Sequence, residues 1–309
     1  MQTILGSNGQ IGYELAKELY KNYTNELRLV SRKPQKINPT DQIVSADLMD
    51  FSQTKKAIEH SEIVYFTVGL PMDAGLWETN FMKITENVIR ACQEAQSKLV
   101  FFDNTYMYPK DRTPQKEDTP FFPADRKSLV RSKMAQLVLS EMESGRLDAV
   151  ICRAPEFYGP GKTQSITNTL VLNNIVHNAP IKIPVNKDTL RTLIWTPDAS
   201  RAMALIGNTP SAYGQTWHLP CDTPHSFQDM IDLAEKIEGK PLKYRVIPLW
   251  QFKLAKLFSK NARELSELLP RYTVDNLFVS DKFKKAFPHF KITTFEEGIR
   301  QVLVENRAG

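Results

Sequence analysis

The stretch QTILGSNGQIG, residues 2–12, decides how this sequence folds. It starts with a short β-rich run, and three glycines follow at a spacing of three, at positions 6, 9 and 12. Apolar residues at Ile11, Leu15 and Leu19 then repeat at the spacing of an amphipathic helix. A plain strand-to-helix turn rarely needs three glycines, whereas a turn that cradles a dinucleotide pyrophosphate does. The stretch therefore predicts a strand, a phosphate-binding loop and a helix.

Each glycine has a distinct predicted role. Gly6 can adopt a positive φ in the turn, Gly9 lets the backbone approach a pyrophosphate, and Gly12 lets helix and strand pack closely. The N-terminus of the helix offers N–H groups and a partial positive charge to phosphates. We expect the glycines to bind a dinucleotide together with the neighbouring loop residues Asn8, Gln10 and Ile11.

The second β-rich run ends in LVSRKP, residues 29–34, without the carboxylate that would bond the ribose 2′-hydroxyl of NAD. Arg32 and Lys33 stand there instead, and an arginine fork suits a 2′-phosphate. NADP(H) is therefore the expected cofactor, although both residues could also be solvated loop charges. Asp47, after the third run, is placed either to reach the adenine or to cap the next helix.

Strands and helices alternate through the first half of the chain. The β-rich runs between the predicted helices are continuously apolar, which is typical of a parallel sheet covered on both faces. After Arg153 the sequence becomes richer in proline and glycine, which predicts more loops and shorter helices and strands. We expect a dinucleotide-binding domain over residues 1–155 and a substrate domain over 156–309, with part of 191–238 returning to the first sheet. The segment NAPIKIPVNKD, residues 178–188, is predicted as a loop.

Composition excludes several function classes. Forty basic and 35 acidic residues give a net charge of only +5, and the basic clusters are short, which argues against nucleic acid as a partner. No apolar run reaches the roughly 18 residues of a membrane span, and we expect no signal peptide, because the first residues already lead into the predicted strand. Three scattered cysteines indicate reduced thiols in a cytoplasmic setting, and the scattered histidines give no metal site. The expected partner is a small-molecule substrate; the oligomeric state is left open.

Five motifs in order carry a resemblance to a known family: GSNGQIG (6–12), ADL (46–48), RAPEFYGPG (153–161), RTLIWTPDASRAM (191–203) and GQTWHLP (214–220). Over about residues 3 to 300 the chain resembles the extended short-chain dehydrogenases/reductases, which include NAD-dependent epimerases and dehydratases. The resemblance implies an α/β fold: a doubly wound, Rossmann-like parallel sheet with a smaller, mainly C-terminal α/β substrate domain.

The same resemblance implies a Tyr-x-x-x-Lys segment, in which tyrosine is the acid/base and lysine holds the nicotinamide ribose. Here the segment starts with Leu129 and ends with Lys133, so the lysine is kept and the tyrosine is replaced. Leucine cannot exchange a proton, which makes the chain resemble the atypical members of the group. Lys133 is placed to reach the cofactor ribose, or else is a solvated surface charge.

The resemblance also implies the remaining candidate residues. After the fifth strand, Asn104 or Thr105 falls where a hydroxyl usually steadies the substrate, and Tyr106 falls at a substrate contact. Tyr106 is therefore the candidate replacement acid, unless it is only a packed aromatic. Pro155 and Phe157 are expected beside the nicotinamide and Glu156 beside the substrate. Arg191 stands where relatives grip substrate phosphate, and an ordinary ion pair is the alternative.

The expected function is NADP(H)-dependent hydride transfer to or from a small carbonyl or enone substrate. A cofactor-binding regulator without turnover is the alternative, and a sugar-nucleotide epimerase or dehydratase is a third possibility that fits the family but not Leu129.

Overall fold

The strands form one large sheet and two smaller pairs. They are β1 (Gln2–Leu5), β2 (Leu27–Ser31), β3 (Gln42–Ser45), β4 (Ile63–Phe66), β5 (Lys98–Asp103), β6 (Ala149–Arg153), β7 (Glu156–Tyr158), β8 (Ile181–Pro184), β9 (Leu193–Trp195), β10 (Thr216–His218) and β11 (Tyr244–Ile247). Seven parallel strands form the central sheet, in the order β3-β2-β1-β4-β5-β6-β10. Every residue of β1, β4 and β6 is buried, as expected when both faces of a parallel sheet are covered.

Helices lie between these strands and after the last of them. They are α1 (Gln10–Asn22), α2 (Phe51–Ile58), α3 (Ala74–Ala95), α4 (Arg126–Glu143), α5 (Asn173–Val176), α6 (Thr196–Gly207), α7 (Phe227–Glu238), α8 (Leu249–Ala255), α9 (Lys260–Ser266), α10 (Asp281–Ala286) and α11 (Phe295–Glu305). A π-helical turn over Asn168–Leu172 runs into α5. Among the helices of residues 1–305, none is long and apolar enough to cross a membrane.

The computed structural model describes residues 1–305 and divides them into two compact units. The first unit comprises Met1–Met107, Phe121–Ala154 and Ala199–Leu219, and therefore contains the whole seven-stranded sheet. The second unit comprises Tyr108–Pro120, Pro155–Asp198 and the chain from Pro220 on.

Each unit has its own apolar core. In the first, the sheet packs against α2, α3 and α4 through residues such as Phe66, Phe81 and Met134. In the second, two parallel strand pairs, β11 with β8 and β7 with β9, share a core with α7 and α11. The predicted doubly wound, Rossmann-like α/β fold is confirmed.

The direction of strand order changes between β1 and β4, because β2 and β3 lie on one side of β1 and the later strands lie on the other. In doubly wound sheets, ligands bind at this switch point, beyond the carboxyl ends of the strands. The glycine loop follows β1 at that end of the sheet.

Candidate functional site

The glycine loop has the close backbone packing that its sequence predicts. Gly6 has a φ of +87°, and a Cβ added to it would lie 2.9 Å from the Cα and N of Val68. A Cβ on Gly12 would lie 2.7 Å from the Gly6 carbonyl oxygen and 2.9 Å from the Ser7 Cα. Real Cβ atoms do not approach so closely, so no side chain fits at either position without a backbone shift.

The N-terminus of α1 lies at the end of this loop. Gly9 is the N-cap, no side chain caps the helix, and its first turn carries no acidic residue. The partial positive charge of the helix is therefore not neutralised locally, which favours an anion there. Gln10 is partly exposed, whereas Ile11 is buried and anchors the helix in the core.

Asn8 connects the glycine loop to the end of β2. Its side chain is exposed, and its Nδ2 donates to the Lys33 carbonyl oxygen at 2.7 Å. The Ser31 hydroxyl accepts from the Lys33 N–H at 3.2 Å, which closes the turn after β2. The side chains of Arg32 and Lys33 themselves are exposed.

Asp47 forms a turn and does not cap a helix. Its carboxylate accepts from the Met49 N–H at 3.0 Å, and it is exposed. The N-cap of α2 is Asp50, which accepts from the Gln53 N–H at 3.0 Å. The capping alternative for Asp47 is therefore wrong, and its second carboxylate oxygen has no hydrogen bond from the residues described.

A loop that the sequence analysis did not single out, residues 67–71 after β4, lies against the glycine loop. Thr67 donates its hydroxyl to the Leu5 carbonyl oxygen at 2.9 Å, and Val68 provides the backbone that faces Gly6. Pairing β4 beside β1 produces this contact. The signal that could have found it is the strand order of a doubly wound sheet, which places the ends of β1 and β4 side by side.

The segment after β5 carries the candidates Asn104, Thr105 and Tyr106. The Asn104 side chain accepts from the Tyr106 N–H at 3.0 Å and so fixes a tight turn. Thr105 is buried, whereas Tyr106 is partly exposed. The Tyr106 ring stacks on Trp77 of α3, with ring centroids 6.0 Å apart and an interplanar angle of 7°.

A buried ion cluster, also absent from the sequence predictions, holds this turn. The Asp103 carboxylate accepts from Arg131 Nη2 at 2.7 Å, from Arg153 Nε at 3.0 Å and from the Asn104 N–H at 2.9 Å. All three charged side chains are almost fully buried. Because two arginines share one carboxylate, the cluster leaves one net positive charge below the turn.

Leu129 and Lys133 lie one turn apart on α4, and both are exposed. Leu129 has 45% of its surface accessible. The pKa of Glu78 on α3 is lowered, mainly by its hydrogen bond from Arg126 and to a smaller extent by the Lys133 charge. Tyr106 contacts α3 through the ring of Trp77, whereas Lys133 acts on the next residue, Glu78, only through its charge.

The remaining candidates belong to the second unit. Pro155 is buried, and Phe157 is partly exposed in β7, where it pairs with Ile194 of β9. Arg191 forms a buried ion pair with Glu156, with Nη2 to Oε2 at 2.9 Å. The Arg191 guanidinium also lies 3.7 Å from the ring centroid of Tyr272.

Each carboxylate oxygen of Glu156 accepts two hydrogen bonds. Oε2 accepts from the Tyr272 hydroxyl at 2.7 Å as well as from Arg191, and Oε1 accepts from the Thr167 N–H and hydroxyl at 3.0 and 2.8 Å. Burial by itself raises the pKa of Glu156, but the Arg191 charge and these hydrogen bonds outweigh it, so the pKa is lowered. Burial, and then the Glu156 charge, raise the pKa of Tyr272.

Several solved structures share this fold over the whole chain. UDP-glucuronic acid 4-epimerase from Bacillus cereus in complex with NAD is 17% identical, with a TM-score of 0.78, and the match covers 100% of this chain and 99% of that one. UDP-glucose 4-epimerase from Thermus thermophilus in complex with NAD is 14% identical, with a TM-score of 0.79 and full coverage of both chains. A double mutant of dTDP-glucose 4,6-dehydratase from Streptomyces venezuelae with NAD bound is 13% identical, with a TM-score of 0.79 and coverage of 99% and 97%. At these identities the likeness shows the fold. Comparison with curated proteins finds no match.

The NADP(H) preference predicted from Arg32 and Lys33 is wrong. The cofactor named with these solved structures is NAD. Both side chains are exposed, and no side chain among residues 1–305 holds the Arg32 guanidinium in a fixed position. The absence of a carboxylate after β2 removes one possible contact to a ribose hydroxyl, but it does not by itself build a phosphate site.

The sequence also matches a family profile over most of its length. The match to the NAD dependent epimerase/dehydratase family covers residues 3–218, which include the glycine loop, the Asp103 cluster, Leu129, Lys133 and the central sheet except Gln2 of β1. The chain therefore belongs to the NAD dependent epimerase/dehydratase family.

Proposed function

We propose that this protein binds NAD at the glycine loop and exchanges a hydride with a small carbonyl or enone substrate. The observation that carries the proposal is the backbone packing of Gly6 and Gly12 beside the uncapped N-terminus of α1. Close packing of a glycine loop against a helix N-terminus is typical of a pyrophosphate site, in which the free N–H groups of the helix are the donors. The NAD named with the solved neighbours supports this choice of cofactor.

Different residues of the first unit would bind different parts of the cofactor. The N-terminus of α1 would bind the pyrophosphate. The carboxylate oxygen of Asp47 that has no hydrogen bond from the described residues would accept one from the adenine of NAD. Lys133, exposed on α4, would donate to the nicotinamide ribose. When bound, NAD supplies the hydride acceptor, or the hydride donor in its reduced form.

Tyr106 is the proposed proton donor to the substrate oxygen. A phenol has a pKa near 10 and needs nearby positive charge to work as an acid/base at neutral pH. Two features are the proposed sources of such charge: the two arginines that share Asp103, the residue just before the Tyr106 turn, and the exposed Lys133 of α4. Asn104 or Thr105 would be the second hydrogen-bonding group.

Two rival functions rest on particular observations. The exposed apolar side chain of Leu129, where a proton donor is expected, favours an NAD-binding regulator without turnover. The names of the solved neighbours favour a sugar-nucleotide epimerase or dehydratase. Against the latter, Arg191 is committed to Glu156, so it is not available to grip a substrate phosphate unless the ion pair opens.

The test combines NAD titration with turnover in Tyr106→Phe. We expect NAD affinity to be unchanged, and turnover of NADH with carbonyl and enone substrates to fall about 10²–10⁴-fold, the usual contribution of a general acid. Tyr108→Phe is the matched control, because the Tyr108 hydroxyl donates to the Lys116 carbonyl oxygen and has no proposed role in chemistry.

Three outcomes separate the functions. A turnover loss in Tyr106→Phe but not in Tyr108→Phe supports the proposal. Tight NAD binding with no turnover of carbonyls, enones or sugar nucleotides supports the regulator. Turnover restricted to sugar nucleotides supports the third function, and equal turnover in wild type and Tyr106→Phe removes the proposed role of Tyr106.

A further inference from the structure

The segment over α8 and the turn after it exposes four large apolar side chains: Trp250, Leu254, Leu257 and Phe258. Phe258 is 86% exposed and Trp250 is 62% exposed, so these side chains project into solvent rather than line a groove. The helical hydrogen bonding continues past α8, since the N–H groups of residues 256–259 donate to carbonyl oxygens three or four residues earlier. All four side chains therefore belong to one continuous helical surface.

Their spacing places them on one face. Relative to Trp250 they fall at i+4, i+7 and i+8, which is the spacing of an amphipathic helix. Phe252, half a turn away, points in the opposite direction into the core of the second unit. Because Phe252 anchors the helix, the exposed apolar face is held outward by the fold.

The stretch of sequence that contains this face, between Glu238 and Glu264, is basic. Residues 239–263 contain seven basic residues and no acidic residue. The whole chain has a net charge of only +5, so the remainder of the protein is slightly acidic. Lys253 and Lys256 are exposed, and their helical spacing places both along one side of the apolar face.

We propose that this face, defined by Trp250, Lys253, Leu254, Lys256, Leu257 and Phe258, docks the protein on an anionic phospholipid bilayer. A helix that lies in a membrane interface carries tryptophan, phenylalanine and leucine on one face, with lysines at its border. The apolar side chains enter the boundary between headgroups and acyl chains, and the lysines contact anionic headgroups. The protein binds the surface and does not span it.

Charge complementarity favours a bilayer over an acidic protein partner. A protein surface presents discrete charges of both signs, and its partner usually does the same. An anionic bilayer repels carboxylates over its whole extent. The absence of any acidic residue over residues 239–263 matches that broad requirement.

Flotation of the full-length protein with vesicles tests the proposal. We expect binding to phosphatidylcholine vesicles that contain about one third phosphatidylserine. Each lysine at the surface should raise the partition coefficient about fivefold. Binding to pure phosphatidylcholine should be much weaker, and added salt should weaken binding to the anionic vesicles. The variant K253Q/K256Q should bind those vesicles about 25-fold more weakly. The control K21Q/K56Q removes the same charge from exposed lysines elsewhere and should bind normally.

Tryptophan fluorescence gives an independent readout. Trp77, Trp195 and Trp217 are 5%, 4% and 5% exposed, so Trp250 is the accessible fluorophore among the four. Anionic vesicles should shift its emission to shorter wavelength and protect it from acrylamide. W250S/F258S should lose this response and bind more than tenfold more weakly, because two large apolar side chains no longer enter the bilayer.

Other results would overturn the proposal. These are equal binding by K253Q/K256Q and its control, equal binding to neutral and anionic vesicles, or no protection of Trp250. Concentration-dependent self-association that is lost in W250S/F258S, without vesicle binding, would instead assign this face to a second copy of the chain.

Discussion

Replacing Glu156 by glutamine tests the buried ion pair of the second unit. Glu156 accepts hydrogen bonds from Arg191, Tyr272 and Thr167, and all of these donors converge on its two oxygens. Glutamine has one oxygen and one NH₂ group. The NH₂ group would therefore face a hydrogen-bond donor of Arg191, Tyr272 or Thr167. The buried Arg191 also loses its counter-charge.

The expected loss of stability follows from that geometry. Removing one partner of a buried ion pair typically costs about 3–5 kcal/mol, and we expect the lower end because glutamine keeps one acceptor. About 3 kcal/mol corresponds to a fall in melting temperature of about 6–12 °C for a domain of this size. The double variant Glu156→Gln/Arg191→Met should recover much of the loss, because no unpaired buried charge remains.

The dependence of stability on pH provides a second test of the Glu156 ion pair. The pKa of Glu156 is lower in the folded than in the unfolded protein. Its ionised form therefore stabilises the fold above the unfolded pKa of about 4.3, and this stabilisation is lost as pH falls through the folded pKa. Glu156→Gln should lack this component, so its melting temperature should fall less steeply below about pH 4.3.

Calorimetry across pH measures both effects, and hydrogen exchange localises them to the second unit. A change in melting temperature below about 2 °C at neutral pH would refute the reasoning. So would a double variant whose loss equals the sum of the two single losses, because the ion pair would then contribute no coupling.

Three further changes test other features. Gly12→Ala adds a carbon 2.7 Å from a loop carbonyl oxygen, so calorimetry should show lower NAD affinity and lower stability. Gly75→Ala, whose added carbon comes no closer than 3.4 Å to its neighbours, should leave both unchanged. Asp103→Asn removes the carboxylate between two buried guanidinium groups and should lower the free energy of unfolding in urea by about 3–5 kcal/mol; wild-type stability would contradict the cluster's role. Val185 has a φ of +64°, which strains a β-branched residue, so thermal denaturation should find Val185→Asn as stable as wild type or more so. Ile183→Asn, in the regular buried strand beside it, should be strongly destabilised.

The order of elements in the first unit could be predicted because its signals are local. The β-rich runs, the helical spacings and the glycine loop each lie within a few residues of sequence, and the structure places strands and helices there. The segment predicted as a loop over 178–188 is an instructive exception, since it contains β8. The alternation of apolar Ile181 and Ile183 with polar Lys182 is typical of a strand. The prolines on either side of it are typical of a loop, so the local sequence does not decide between the two.

Parts of the candidate site could not be predicted, because they depend on strands that are distant in sequence. Asp103, Arg131 and Arg153 come from β5, α4 and β6, and no spacing rule links them. The contact of Val68 with Gly6 likewise requires β1 and β4 to be neighbours. The NADP preference is wrong for a different reason: the residue types after β2 do not tell whether their side chains are held in place, and the structure leaves Arg32 and Lys33 exposed.

The interleaved path of the chain has a consequence for synthesis. The chain changes unit after residues 107, 120, 154, 198 and 219. The central sheet therefore lacks its edge strand β10 until residue 218 has left the ribosome, and the core of the second unit waits for Ile299 and Leu303 of α11. Many of the contacts are distant in sequence, which slows folding and prolongs the exposure of apolar strands. A fragment that ends near residue 155 should consequently aggregate on expression, whereas the full-length chain can bury both cores.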